Sequence, residues 1–162
     1  MKQWKYRPIE EANLFNPAFC GEILRRAIGA YNISAQNKFP YPLSYLVLPI
    51  VLHRPTREAI SLQNRQLHVW LQNNQRVRVG FAERAKSLIP ITNEALNFLL
   101  QIKSVLVDET AGMNLLNQPR AINNTYGDEE IRDCFKKAAL VGVWFARAGT
   151  AGNIYTMWGV KP

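Results

Sequence analysis

The sequence predicts a mainly α-helical single domain with a winged-helix-like core, a helix pair followed by a small β-hairpin wing. Three observations lead there. Residues 75–107 read as helix, proline break, helix; residues 108–127 carry the glycines, proline and asparagines of a hairpin; and long amphipathic stretches begin at Asn16 and Asp128. The 162 residues fit one domain that buries roughly two thirds of its unfolded surface. A hydrophobic fraction of 48% supplies a core and sets the chain apart from a disordered tail.

In chain order, residues 1–15 form a mixed N-terminal arm with Trp4, Tyr6, Ile9, Leu14 and Phe15 as apolar anchors. Asn16 offers a capping side chain, and Pro17 is the residue favoured at the first helical position. Cys20, Ile23, Leu24, Ala27, Ile28 and Tyr31 share one face of the helix that follows, whereas Glu22, Arg25 and Arg26 tend outward. A polar loop from Ser34 to Tyr41 leads into LSYLVLPIVL, residues 43–52, which is apolar all round. So short a run suits a core strand or a buried helix, and Pro49 favours a kinked buried helix over a central strand.

His53 to Glu58 make a charged corner, after which Asn64 caps a short helix through Leu67, Trp70 and Leu71 that ends at Asn73 and Asn74. In the helix pair, Val77, Phe81, Ala85 and Leu88 recur at spacings of four and three, one helical face. Pro90 disfavours helix at Ile89, so the first helix stops near Leu88. Thr92 offers an N-cap oxygen and Glu94 a first-turn charge for a second helix from about Asn93 to Val107. Met113–Leu116 and Arg120–Ile122 are the candidate wing strands. A long helix then occupies 128–149, started by Asp128 with Glu129 and Glu130, striped by Ile131, Phe135, Ala138, Gly142 and Phe145, and closed by a left-handed Gly149. Residues 150–162 are an apolar C-terminal tail that should dock on something.

The chemistry of the chain is that of a surface. Twenty basic against twelve acidic side chains give a charge of +8, which suits nucleic acid, anionic lipid or an acidic protein. No signal peptide opens the chain and no apolar run reaches the roughly 20 residues a bilayer needs, so a cytoplasmic protein without a membrane segment is expected. Cys20 and Cys134 belong to no CxxC pair, and His53 and His68 lack a second ligand nearby. Metal and other cofactors are therefore not expected. RAGTAGN, residues 147–153, could cradle an anion, but helix cap plus turn explains it without a ligand. With no acid and base constellation, the expectation is a protein that is not an enzyme.

Two sets of surface residues remain. Arg76, Arg78, Arg84 and Lys86, with Lys103 on the second helix, are candidate phosphate contacts, weighed against a simply solvated basic face. Asn93, Glu94 and Asn97 occupy the place of base-reading side chains, too thin a set to favour sequence-specific DNA binding. Trp144, Arg147, Tyr155 and Trp158 are the residue types enriched at protein interfaces and form a candidate partner surface; the rival explanation places both tryptophans in the core.

Four stretches, NPAFCGEILRRAI, LSYLVLPIVLHRPTREAI, FAERAKSLIPITNEALNFLL and VGVWFARAGTAGNIYTMWGVKP, cover most of the chain. In their order and C-terminal ending the chain resembles the middle component of bacterial three-component ABC (ABC-3C) systems, related to the small accessory subunit of Lamassu-type antiphage defence. The resemblance implies a non-enzymatic adaptor encoded beside an SMC-like ABC ATPase and an effector subunit, often a nuclease. It would bind the ATPase and couple nucleic-acid sensing to effector release, with non-specific nucleic-acid contact as an accessory. No family-wide functional residues carry over. The alternative is a stand-alone winged-helix DNA-binding regulator, motivated by the helix pair, the wing and the charge.

Overall fold

The computed structural model describes residues 15–61, 66–119 and 128–161. Helix α1, Pro17–Ala35, starts as its sequence dictates: the Asn16 carboxamide oxygen accepts the Ala18 amide at 2.8 Å. Its predicted face is buried, and Gln36 ends it in the left-handed region with φ 50°. Strand β1, Phe39–Pro40, and a 3₁₀ turn at Tyr41–Leu43 lead into α2, Ser44–Val51. α2 is helical with Pro49 inside it and is enclosed by protein on nearly every side, which is why it carries no polar face.

Two short helices follow, α3 at Arg54–Ala59 and α4 at Leu67–Asn73. Gln66 immediately precedes α4, while the predicted cap Asn64 lies outside the described residues. A 3₁₀ turn, Gln75–Arg78, precedes α5, Phe81–Ser87, and α6, Ile89–Gln101. The hairpin strands are β2, Val105–Val107, and β3, Gly112–Leu115. α7, Glu129–Arg147, and α8, Ala151–Met157, complete the order. The strands form one antiparallel sheet in the order β1-β3-β2.

Several boundaries correct the sequence-based expectation. The first helix of the pair does not include Val77: Gly80, with φ 66°, separates that 3₁₀ turn from α5. Val77, Phe81 and Ala85 are nevertheless all buried, so the face survives the break. Pro90 opens α6 instead of standing between two helices, because a first-turn residue has no intrahelical acceptor for the N–H that proline lacks. Only Leu88 separates α5 from α6. Thr92 is consequently inside the helix and buried, and its hydroxyl has no hydrogen-bond partner among the described residues.

The end of α6 also moves, from Val107 to Gln101. Lys103 takes φ 51°, donates its amide to the Leu100 carbonyl at 3.0 Å, and lets the Ser104 amide reach the Leu99 carbonyl at 2.9 Å. This is a Schellman closure made by a lysine where glycine is usual. It releases Val105–Val107 to pair with β3, in the register Val105↔Leu115, Leu106↔Asn114 and Val107↔Met113. The hairpin is thus β2 with β3; Arg120–Ile122 lie outside the described residues.

α7 is capped by Asp128, whose carboxylate accepts the amides of Glu130 and Ile131. Its apolar stripe packs along α1. At the crossing the two backbones nearly touch, since a Cβ built on Gly142 would lie 2.1 Å from the Ala27 carbonyl oxygen. Gly149, at φ 96°, turns the chain into α8, which Thr150 caps by accepting the Asn153 amide at 3.3 Å. The apolar tail is therefore a docked helix. Trp158 stacks on Phe81 at 4.2 Å between ring centroids, and Trp70 packs between Trp144 and Trp158 at 4.8 and 6.1 Å.

Candidate functional site

The basic set divides on inspection of its partners. Arg76 and Arg78 are exposed in the 3₁₀ turn, and Lys86 is exposed on α5. Arg84 is not available in the same way: its guanidinium donates to the Val79 carbonyl at 3.1 Å and the Val77 carbonyl at 3.0 Å, and it lies over the Phe81 ring. Loss of hydration pulls its pKa below the ordinary arginine value. Arg84 thus ties the turn carrying Arg76 and Arg78 to α5. Arg76 lines one groove, with His53, Asn73 and Asn74, while Lys86 lines another, with Tyr45, Ile89, Tyr155 and Lys161. Arg76 and Lys86 therefore line different grooves.

The aromatic set is placed differently from a surface. Trp144 and Trp158 are enclosed in the core, and Tyr155 is buried with its hydroxyl donating to the Pro42 carbonyl at 2.7 Å. Of the four residues only Arg147, at the end of α7, is exposed. The rings went inward because the tail folds back as α8, which sets Trp158, the residue at its C-terminal end, against Trp70 and Phe81. A second polar contact joins α2 to α6: the Tyr45 hydroxyl donates to the Asn93 side-chain oxygen at 2.7 Å and lies 3.1 Å from the Tyr41 hydroxyl. Burial first, and then the Tyr41 hydrogen bond, raise the Tyr45 pKa.

A functional-looking cluster that composition did not reveal surrounds Arg57. This residue is 3% exposed, donates to the Val51 carbonyl at 2.9 Å and to Asp133 at 3.2 Å, and also holds Glu130. Beside it Lys137 donates to the Ile60 carbonyl, and the His53 ring nitrogen meets the Thr56 hydroxyl at 2.7 Å. Burial, and then the charge of Arg84, hold His53 below its ordinary pKa. All of Arg57's partners belong to the fold, so it fastens the α2–α3 corner to the start of α7. Arg57→Met should cost about 2–3 kcal/mol in urea unfolding, below the usual figure for breaking a buried pair. The reason is that Glu130 and Asp133 keep 59% and 37% side-chain exposure and can hydrate once released. An unchanged unfolding midpoint would show that the corner holds without it.

Neither thiol is poised for reaction. Burial, aided by Glu94 and Cys134, pushes Cys20 up to about 12; burial also dominates at Cys134, pushed up to about 11. Among the described residues no group of three His, Cys, Asp or Glu is placed to hold a metal ion. No described helix is long and apolar enough to cross a membrane.

Comparison with curated proteins and with solved structures gives no match. A family does match: residues 4–162 fit the family described as ABC-three component (ABC-3C) system Middle Component 3. That span includes every described helix and strand. The chain therefore belongs to the Middle Component 3 family of ABC-three component systems.

Proposed function

We propose that the protein is a non-catalytic accessory subunit that binds an SMC-like ABC ATPase and an effector subunit, often a nuclease, in cytoplasmic defence against phage or plasmids. The family match over residues 4–162 carries this reading, because a middle component of a three-component system has subunits to join. Kinship with the small accessory subunit of Lamassu-type systems is part of the same proposal. Arg147, the exposed member of its set, is the partner contact, while Trp144, Tyr155 and Trp158 are buried in the core. Arg76, Arg78 and Lys86 are accessory phosphate contacts. The test is co-expression with the ATPase encoded beside this chain, with purification through a tag on one partner. Co-elution at moderate salt that weakens with Arg147→Glu supports the proposal; separate elution at every salt concentration overturns it.

One observation favours the regulator reading. The order helix, strand, helices, hairpin, with the first strand added beside the hairpin's second, supports a winged-helix reading. In that arrangement α6 would be the reading helix. It carries no lysine or arginine, Thr92 is buried, and Asn93 is engaged by Tyr45. The helix order therefore supports a winged-helix scaffold used as an adaptor. Duplex binding should be equal for all sequences and fall steeply with salt. Preference for one sequence by a factor of about 1,000 or more would favour the regulator.

A further inference from the structure

We infer that the groove between α3 and the end of α4 with its following turn is a binding site for a nucleoside monophosphate. Its volume is about 470 Å³, within the roughly 300–1,000 Å³ of small-molecule sites. α3 supplies Pro55, Thr56 and Ala59 to one wall, and residues 72–77 supply the other. Both walls are fastened from behind. The Trp70 indole N–H donates to the Ala59 carbonyl at 2.9 Å, and the Asn74 carboxamide donates to the Trp70 carbonyl at 2.9 Å. Arg84 holds the Val77 carbonyl at 3.0 Å. The groove is therefore shaped before any ligand enters, which lowers the ordering cost of binding.

Charge in the groove has one sign. Arg76 is exposed and has no ion-pair partner among the described residues, and no carboxylate lines the groove. α3 keeps the acids apart: Pro55, Thr56 and Ala59 face this groove, whereas Arg54, Arg57 and Glu58 line another with Glu130 and Asp133. Beside the arginine, Gln72, Asn73, Asn74 and Gln75 are four successive carboxamides. Only the Asn74 nitrogen is committed, to the helix end at Trp70, and the other three side chains bond to no described residue. His53 bonds through Nδ1 with the Thr56 hydroxyl at 2.7 Å, which leaves Nε2 uncommitted. The groove thus holds more polar groups than the fold employs.

These groups match a nucleotide part by part. A carboxamide offers a donor and an acceptor side by side, the pattern that pairs with the edge of a base. Pro55, Ala59 and Val77 give an apolar surface for the face of that base. The Arg76 guanidinium is a fork suited to phosphate. Inorganic phosphate would leave the carboxamides and the apolar surface unused, and an uncharged nucleoside would leave Arg76 unused. The inference rests on the accessory phosphate role given to Arg76 and on nothing about the partner subunits.

Isothermal titration of the full chain with AMP from about 10 µM to about 5 mM tests this, a range set for a weak single-nucleotide site. AMP should bind at least tenfold more tightly than adenosine or inorganic phosphate. Arg76→Gln should weaken AMP binding at least tenfold and Asn73→Ala by several fold, with unchanged urea midpoints because both side chains are exposed. Lys136→Gln, which removes one exposed positive charge on α7, should change nothing. Competition by a short 5′-phosphorylated single strand would place the nucleotide at a strand end, and failure to compete would make it a free nucleotide; the groove is the site in both cases. Duplex binding that weakens with Arg76→Gln while AMP binds no better than phosphate overturns the inference and leaves the accessory contact standing. Absence of AMP binding, or equal losses from Arg76→Gln and Lys136→Gln, also overturns it.

Discussion

Gly142→Ala should lower the unfolding free energy by about 3 kcal/mol, at the upper end of the cost of overpacking a core. The added methyl would sit 2.1 Å from the Ala27 carbonyl oxygen, 2.9 Å from its carbon and 3.0 Å from its Cα. All three are backbone atoms of α1, so no side chain can rotate away. Relief requires α1 and α7 to part, which opens the contacts of Ile23, Ala27, Ala138 and Phe145 at the centre of the core. Alanine is the better helix former by about 1 kcal/mol, and that gain is too small to reverse the sign. Gly152 on α8 provides the control, because a Cβ there meets only the Thr150 hydroxyl oxygen, at 4.0 Å. Gly152→Ala should be neutral or stabilise by up to about 1 kcal/mol. Urea unfolding of both variants checks the pair, and equal midpoints would contradict the close approach.

Trp158→Ala should cost about 3–5 kcal/mol, the range for emptying a buried indole site. The ring is 1% exposed, stacks on Phe81 and faces Trp70, so its loss leaves a cavity bounded by α4 and α5. Its indole N–H has no partner among the described residues. Trp158→Phe, which removes that orphan donor and keeps a ring, should recover most of the loss, to within about 1–2 kcal/mol of the wild type. If Trp158→Phe proved as damaging as Trp158→Ala, the packing of a ring against Phe81 and Trp70 would not be what holds the site. Deleting residues 150–162 should unfold the protein altogether. Loss of a partner after that deletion would then report on the fold, whereas Arg147→Glu, at an exposed position, reports on the surface.

What the sequence revealed follows from how local each signal is. Asn16 with Pro17, and Asp128 with Glu129 and Glu130, act within one helical turn, so both long helices start where they were expected. The apolar faces of α1, α5 and α7 are periodic and were legible too, but Arg26, expected to tend outward, is buried over the Phe135 ring. Pro90 was misleading because proline ends one helix and begins another by the same chemistry, and the spacing of a single residue was decided by packing. Lys103 adopts a conformation with no marker in its side chain, so the end of α6 and the existence of β2 were hidden together. The candidate surfaces fared less well. Arg84 turned inward to cap carbonyls of a turn that no pattern announced, and the tail tryptophans were buried by a fold-back that only tertiary contacts specify. Arg57 sat in what read only as a charged corner, and its carboxylate partners Glu130 and Asp133 lie more than seventy residues away.

The central proposal is that this middle component joins the other two subunits. Native mass spectrometry of the three proteins, purified separately and mixed with and without this chain, measures that directly. The expected result is a species containing the ATPase, this chain and the effector, with no association of ATPase and effector when this chain is left out. An ATPase–effector complex that forms equally well in its absence would contradict the joining role.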